Sequence, residues 1–176
     1  GKSIAELITE KDHLIQEMRN TLKCSEDEII ERLNSLLENR KNLEREYLQL
    51  QQTNQASQVY DLVHSADELG DLRLIVQKLD TTGDLKDMGD QFRQTFKVGG
   101  VALIGTIKND KPMIMCAVTD DLTDRIKAGK IVEEVGIIMG GGGGGKPHIA
   151  TAGGNDPGSL NDALEKGKEL IKSLMK

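Results

Sequence analysis

The sequence predicts an α+β to α/β protein in which an antiparallel, coiled-coil-like helical hairpin precedes a small globular domain. Residues 3–57 contain neither glycine nor proline and repeat apolar residues at helical spacing. Residues 58–176 instead alternate β-rich and helical segments, which is typical of a mixed, partly parallel sheet covered by helices. We therefore expect two domains, a helical arm over 1–57 and an α/β domain over 58–176.

The helical arm is expected to contain helices over 3–23 and 26–56, joined by a short turn. In the turn, Ser25 is followed three residues later by Glu28, a capping-box pattern that marks a helix start. Two helices alone cannot cover both of their apolar stripes, so the arm needs a further partner. Three roles stay open: a solvated coiled-coil spacer, a dimerisation arm, or a surface that packs inside a longer protein.

The second domain has a recognisable order of elements. They are β-rich segments at 58–66 and 72–80, a helix over 85–96, two strands within 100–121 joined by an Asn-Asp-Lys-Pro turn, a helix over 128–139, a short strand or strand-like turn at 147–154, and a closing amphipathic helix within 155–176.

The stretch "MGGGGGGKPHIATAGG", residues 139–154, is the least ordinary part of the chain. It imitates a nucleotide-binding P-loop, but Pro147 stands where that loop needs Ser or Thr, and a helix precedes it where a strand should. A flexible linker is also disfavoured, because only about 30 residues follow, too few for a separate domain. We expect a tight loop inside the α/β domain, and both anion contact by a nest of glycine amides and pure packing geometry stay open.

Composition limits the function further. The formal net charge is −6 and aromatic residues make up 2% of the chain. These values argue against non-specific nucleic-acid binding, either through positive charge or through base stacking on aromatic side chains. Neither value excludes a local basic patch that recognises the shape of RNA.

The cysteines and the chain ends carry weaker signals. Cys24 and Cys116 are expected to be free thiols in a reducing compartment, and no membrane span or signal peptide is visible. Gly1 at the first position is expected of a tag remnant or of a piece of a longer protein.

Two groups of residues could carry binding chemistry. Lys146 and His148 follow the glycines, and Arg125, Lys127 and Lys130 lie within six residues of one another. The second group is either a small basic patch or a solvated helix start. The histidines lack zinc-ligand spacing, and no catalytic or metal-binding constellation is visible.

The segment "VTDDLTDRIKAGKIVEEVG" followed by "MGGGGGGKPHIATAGGNDPGSLNDAL" closely resembles the C-terminal C-Ala region of alanyl-tRNA synthetases, whose glycine-rich globular domain also accompanies DHH phosphoesterases. The resemblance covers about residues 58–176, and the helical hairpin is similar to the family's helical subdomain. Four positions depart from the family pattern: Gly142 stands for a frequent Lys, Lys146 for Arg, His148 for Asp and Thr151 for Gln.

The resemblance implies a non-catalytic tRNA-binding and bridging module within an ATP-dependent alanine–tRNA ligase. It would contact the outer corner of tRNA(Ala), link aminoacylation with editing, and support a homodimer through the hairpin or the globular domain. Upstream editing and aminoacylation domains would be its other partners, and ATP, Mg and Zn are expected only in those parts. The expected location is the cytoplasm, with no membrane partner.

The candidate RNA contacts are then Arg125, Lys127, Lys130, Gly143, Gly144, Gly145, Lys146 and His148. Three alternatives remain: the glycine-rich domain of a DHH-type phosphoesterase, the same module in a free-standing alanyl-tRNA editing protein, and a purely structural coiled-coil dimer. The helical hairpin favours the synthetase.

Overall fold

The structure, a computed structural model, describes residues 3–81 and 83–175. Gly1, Lys2 and Lys176, at the ends of the two predicted domains, lie outside the described residues, as does Thr82. The chain divides into two compact units, Gly1–Leu50 and Gln51–Lys176. The division falls inside the second helix.

The first unit contains helix α1, Ile4–Leu22, and the beginning of helix α2, Ile29–His64, so the two predicted N-terminal helices are confirmed. Ser3 starts α1 with a complete capping box, because its side chain accepts from the Glu6 amide while the Glu6 carboxylate accepts from the Ser3 amide. The predicted pair in the turn also interacts: the Glu28 carboxylate accepts from the Ser25 amide at 2.9 Å. The second helix nevertheless begins at Ile29, after a turn over 26–28.

The first unit buries little of its apolar surface. Of residues 3–50, all of them described, only Ile29 is buried. The exposed large apolar side chains of this unit are Ile4, Leu7, Ile8, Leu14, Met18, Ile30, Leu33, Leu36, Leu37, Leu43, Tyr47, Leu48 and Leu50. The structure therefore leaves most of the two apolar stripes exposed within this unit.

The segment at 58–66 corrects one sequence-based prediction. It was expected to be β-rich, but α2 continues through it to His64. Val59 and Val63 are one helical turn apart and are both buried, and they pack with residues of the sheet such as Ile75. Tertiary packing at helical spacing thus overrides the β-propensity of these valines.

The second unit is built on one six-stranded sheet. Its strands are β1 Asp67–Leu69, β2 Leu72–Lys78, β3 Gly100–Lys108, β4 Lys111–Val118, β5 Gly142–Gly145 and β6 Ile149–Gly153, in the spatial order β1-β2-β3-β4-β6-β5. Among these strands β2 and β3 pair in parallel, and the other neighbours are antiparallel. The predicted mixed, partly parallel sheet is confirmed.

Helices cover both faces of this sheet. They are α3 Leu85–Phe96, α4 Ala128–Ile138 and α5 Leu160–Leu174, with short 3-10 helices at Asp120–Leu122 and Pro157–Ser159. The helices α4 and α5 pack on one face through a core that includes Val132, Val135 and Leu160. The other face is covered by α3 and the end of α2, with Phe92 and Met88 fully buried. We call these the α4 face and the α3 face. Among the described residues, no helix is both long and apolar enough to cross a membrane.

The hairpin of β3 and β4 turns on two residues. Asn109 and Asp110 have φ values of 52° and 58°, as a tight two-residue turn requires for strands with the natural twist. The turn sets the register so that Lys108 lies directly opposite Lys111.

The glycine run corrects a second prediction. It was expected to be a loop, but Gly142–Gly145 forms β5, an edge strand paired antiparallel with β6. Gly140, with φ of 68°, follows α4 and lets the chain reverse into the strand. An extended strand points successive amides to opposite sides, so the run does not form the concave nest considered from the sequence.

Candidate nucleic-acid interface

Helix α4 lies directly against the backbone of the glycine strand. A Cβ atom added to Gly136 would come within 2.8 Å of the Gly142 carbonyl carbon, and one added to Gly129 within 3.3 Å of the Gly145 oxygen. On the strand itself, a Cβ at Gly143 would lie 2.8 Å from the Val132 oxygen. Side chains at these contacts would force the helix off the strand, so packing alone accounts for part of the glycine run.

The alternate glycines of the strand have no such restriction. A Cβ at Gly142 or Gly144 would meet nothing within 4 Å. These two residues pair with Gly153 and Thr151 of β6, so they face away from α4. No side chain of β5 therefore projects on the α3 side of the edge strand. The packing of the fold would accept side chains at these two positions.

The turn after β5 is fastened to the start of α4. The Ala128 amide donates to the Pro147 carbonyl oxygen at 2.8 Å, the Lys146 amide donates to the Ile149 oxygen at 2.9 Å, and the Val118 amide donates to the His148 oxygen at 2.9 Å. These bonds bring the turn and the first residues of α4 to one end of the sheet. We call Lys127, Lys130, Lys146 and His148 the α4-end patch.

The electrostatics of the α4-end patch suit an anion. Lys127 is the N-cap residue of α4, it makes no side-chain capping bond, and the first turn of the helix contains no acidic residue. Lysines at a helix N-terminus oppose the helix dipole, whereas an anion there is stabilised by it. Lys127, Lys130 and Lys146 are exposed, and within the described part of the chain none of them forms an ion pair.

Arg125 differs from the other predicted contacts because it has an acidic neighbour. Partial burial opposes ionisation of Asp121, but hydrogen bonds from Thr119 and from the Gly99 amide, together with the charge of Arg125, hold the pKa of Asp121 below its usual value. The Gly99 bond measures 2.9 Å. The charge of Arg125 is therefore partly balanced within the protein, and we leave it outside the patch.

The structure also brings together lysines that the sequence reasoning missed. Lys108 and Lys111 lie at the opposite end of the sheet, and both border a cavity of about 510 Å³ whose other walls include Gly141 and Gly153. The sequence contained a signal for this pair, namely a lysine on each side of the predicted turn. A two-residue turn makes its flanking residues cross-strand neighbours.

Other reactive side chains lie outside these surfaces. Among the described residues no three His, Cys, Asp or Glu side chains cluster as metal ligands. His64 is the last residue of α2, and its Nδ1 lies 2.8 Å from the Tyr60 oxygen. The prediction that it lies in a strand was wrong. Cys116 is completely buried, which raises the pKa of its thiol to about 12 and makes it unreactive in the folded state.

Comparison with known proteins agrees with this architecture. The family model of the DHHA1 domain matches residues 71–173. The alanine–tRNA ligase of Natranaerobius thermophilus is 31% identical over an alignment of 176 positions, which covers 98% of this chain and 20% of that protein. That of Clostridioides difficile is 34% identical over 180 residues, with coverage of 100% and 20%. The chain thus spans about one fifth of the length of these relatives.

A solved structure has a similar fold. The crystal structure of the C-Ala domain from Aquifex aeolicus alanyl-tRNA synthetase superposes with a TM-score of 0.53 at 28% identity, and the match covers 62% of this chain and 96% of that one. These matches confirm the predicted resemblance to the C-Ala region of alanyl-tRNA synthetases. The relatives also cover the helical hairpin, which the DHHA1 match does not reach. The chain belongs to the DHHA1 domain family.

Proposed function

We propose that the chain is the tRNA-binding and bridging module of an alanine–tRNA ligase. The hydrogen bond between the Ala128 amide and the Pro147 oxygen carries this proposal, because it joins two separate basic segments into the α4-end patch. Three lysines and the N-terminus of α4 then present positive charge at one place on a chain whose net charge is −6. Such a patch recognises phosphates by position and the shape of the RNA, without reading bases.

The test is binding of a tRNA(Ala) transcript at several salt concentrations. We compare the full chain with the triple variant Lys127→Gln, Lys130→Gln, Lys146→Gln. The matched control carries Lys166→Gln, Lys168→Gln and Lys172→Gln, which change the net charge equally on α5.

Each phosphate contact with a B-form duplex contributes about 0.9 to the magnitude of the slope of log K against log salt, and we apply the same value to duplex RNA. If each of the three lysines neutralises one phosphate, the magnitude of the slope should decrease by about 2.7 in the triple variant. The control should retain the original slope. A patch variant that binds like the control would refute the assignment of the patch, and a folded wild-type chain that binds no tRNA at low salt would refute the RNA role altogether.

The exposed apolar side chains of the first unit support a second part of the proposal, that the hairpin joins two copies of the chain. The double substitution Leu36→Glu, Leu43→Glu places charge on residues that are 45% and 65% exposed, so it spares the fold of a single copy. Sedimentation equilibrium should show a dimer for the wild-type chain and a monomer for the variant. A wild-type monomer at the highest usable concentration would refute dimerisation.

The remaining features of the proposal concern the parent protein. The parent would attach alanine to its tRNA with ATP in the cytoplasm, and this module would position the tRNA outer corner between the aminoacylation and editing domains. ATP, Mg and Zn would be bound there, and this segment would contribute no catalytic residue. An alanylation assay of the parent with and without the α4-end substitutions would show their effect in KM for tRNA rather than in kcat.

A further inference from the structure

The lysine-bearing end of the sheet contains two cavities that share part of their walls. The cavity of about 510 Å³ is bordered by Lys108 and Lys111. A second cavity of about 180 Å³, on the α3 face, is bordered by Lys86 and Lys108. Lys108 and Met113 belong to the walls of both. We call the surface beside the β3–β4 turn that borders these two cavities the hairpin groove.

The charge of the hairpin groove is poorly balanced within the protein. Lys108 and Lys111 lie directly opposite each other across the two strands, an arrangement of like charges that destabilises a sheet. Both are exposed, as is Lys86, and none of the three forms an ion pair within residues 3–81 and 83–175. The Asp84 carboxylate also lines the smaller cavity and accepts from the Lys86 and Asp87 amides as the cap of α3, so among the wall residues one negative charge stands against three lysines.

Thr106 provides an independent sign that the groove takes a polar ligand. It forms part of the wall of the smaller cavity and is 2% exposed, yet its hydroxyl has no hydrogen-bond partner. A buried hydroxyl without a partner is rare and costly in native proteins. Rotation about χ1 moves the hydroxyl between staggered positions, so it can donate to a ligand oxygen that enters the cavity.

The open side of the glycine strand connects this groove with the α4-end patch. Thr151, in the wall of the smaller cavity, pairs with Gly144, and Gly153, in the wall of the larger one, pairs with Gly142. From Gly142 to Lys146 the strand extends for roughly 14 Å. A ligand that contacts both ends must therefore be an extended polyanion, and the side-chain-free surface between them admits its backbone.

We propose that the sugar-phosphate backbone of RNA lies along the open side of β5 and that its far phosphates are held in the hairpin groove by Lys86, Lys108 and Lys111. The ligand class rests on the proposed function, but these residues and this face of the sheet are separate from the α4-end patch. Thr106 donates its hydroxyl to a phosphate oxygen in the smaller cavity.

The experiment measures the affinity and salt slope for a tRNA(Ala) transcript with the full chain carrying Lys108→Gln and Lys111→Gln. The matched control is Lys166→Gln with Lys172→Gln on α5. Loss of two phosphate contacts should lower the slope by about 1.8, while the control should leave it unchanged. Because the variant removes a repulsive pair, its melting temperature should stay equal or rise, which excludes unfolding as the cause.

The outcomes separate this inference from the proposed function. Wild-type slope and affinity in the groove variant, with a loss in the α4-end variant, would overturn the groove and leave the tRNA role intact. A wild-type chain that binds no tRNA would overturn both. Saturable binding of inorganic phosphate at Lys108, seen by NMR shifts, together with unchanged tRNA affinity in the variant would also overturn the RNA groove, because it identifies a small-anion site.

A second variant, Thr106→Val, tests the hydroxyl without changing charge or volume appreciably. If the hydroxyl serves RNA, the variant should bind tRNA roughly 10-fold more weakly, the effect expected of one hydrogen bond to a charged group. Its melting temperature should not fall, because the free protein gives the hydroxyl no partner. A destabilised variant with unchanged tRNA affinity would refute the role of Thr106.

Discussion

Alanine substitution at two adjacent glycines of β5 should give opposite changes in stability. Gly143→Ala introduces a methyl group on the side of α4, and Gly144→Ala introduces the same group on the open side. The two sites share a strand, an edge position and a residue type. Their difference therefore isolates the steric contact with the helix.

The size of that difference follows from the geometry. A Cβ at Gly143 would lie 2.6 Å from the Ala152 Cβ and 2.8 Å from the Val132 oxygen, well inside the separation of about 3.5–4.0 Å at which carbon atoms attract. Neither neighbour can move without shifting the backbone of α4 or β6. Overpacking of this kind typically costs about 1–3 kcal/mol.

The conformational contribution acts on both variants alike. Replacing a glycine in a strand by alanine removes freedom from the unfolded chain and stabilises by about 0.5–1 kcal/mol. Gly144→Ala should therefore raise the free energy of unfolding by about that amount. Gly143→Ala should end about 1–3 kcal/mol below Gly144→Ala, because the conformational gain cancels in the comparison.

Cys116 offers a direct assay. It is completely buried in β4, so a thiol reagent labels it only when the globular unit opens, and Cys24→Ser removes the other free thiol. The dependence of the Cys116 labelling rate on urea gives the free energy of opening for each variant. Equal values for the two alanine variants, or a less stable Gly144→Ala, would refute the packing explanation of the glycine run. If the RNA backbone lies along the open side of β5 as proposed, Gly144→Ala should also weaken tRNA binding while stabilising the fold.

Three further outcomes follow from the structure. Arg93→Ala should lower the free energy of unfolding by about 1–3 kcal/mol, measured by urea titration, because Arg93 donates to the Val118 oxygen at 3.1 Å and to the Asp120 carboxylate at 2.7 Å. Raising the pH from about 9 towards 12 should destabilise the globular unit by about 1.4 kcal/mol per pH unit, since burial raises the pKa of Cys116 from 9.0 to about 12 and the unfolded thiol ionises first. The Cys116→Ala variant, which lacks the thiol, should lose this part of the pH dependence. Gly142→Leu, which adds an uncharged side chain on the open side of β5, should raise the free energy of unfolding by about 0.5–1 kcal/mol, as Gly144→Ala does, and should weaken tRNA binding because the side chain occupies the surface on which the proposed RNA backbone lies.

The elements that the sequence predicted well carry strong local signals. The predicted helix over 85–96 has the bounds of α3, because its apolar residues repeat at helical spacing and Asp84 caps its start. The turn between β3 and β4 was predicted at Asn109 and Asp110, which tolerate positive φ, although Lys111 and Pro112, expected in the same turn, belong to β4. In both places the residues that determine the structure lie within a few positions of one another.

The elements that the sequence did not predict depend on distant partners. Gly142–Gly145 becomes a strand only because β6 supplies its hydrogen bonds, and glycine has no strand preference of its own. The residues at 58–66 stay helical because Val59 and Val63 meet the sheet. The hairpin groove was missed for the same reason: Lys86 joins Lys108 and Lys111 only after α3 packs on the sheet.

Two different constraints therefore apply to the glycine run, and they alternate from one residue of β5 to the next. At Gly143 and Gly145 the backbone approaches its neighbours so closely that a Cβ has no room, and this requirement belongs to the fold. At Gly142 and Gly144 room is available, so the fold alone would accept many residues. A strand under the first constraint only would alternate glycine with other residues, as a half-buried strand usually alternates. That the open positions are glycine too is what an extended backbone lying on the strand would require, and the Gly144→Ala variant measures that requirement without disturbing the first.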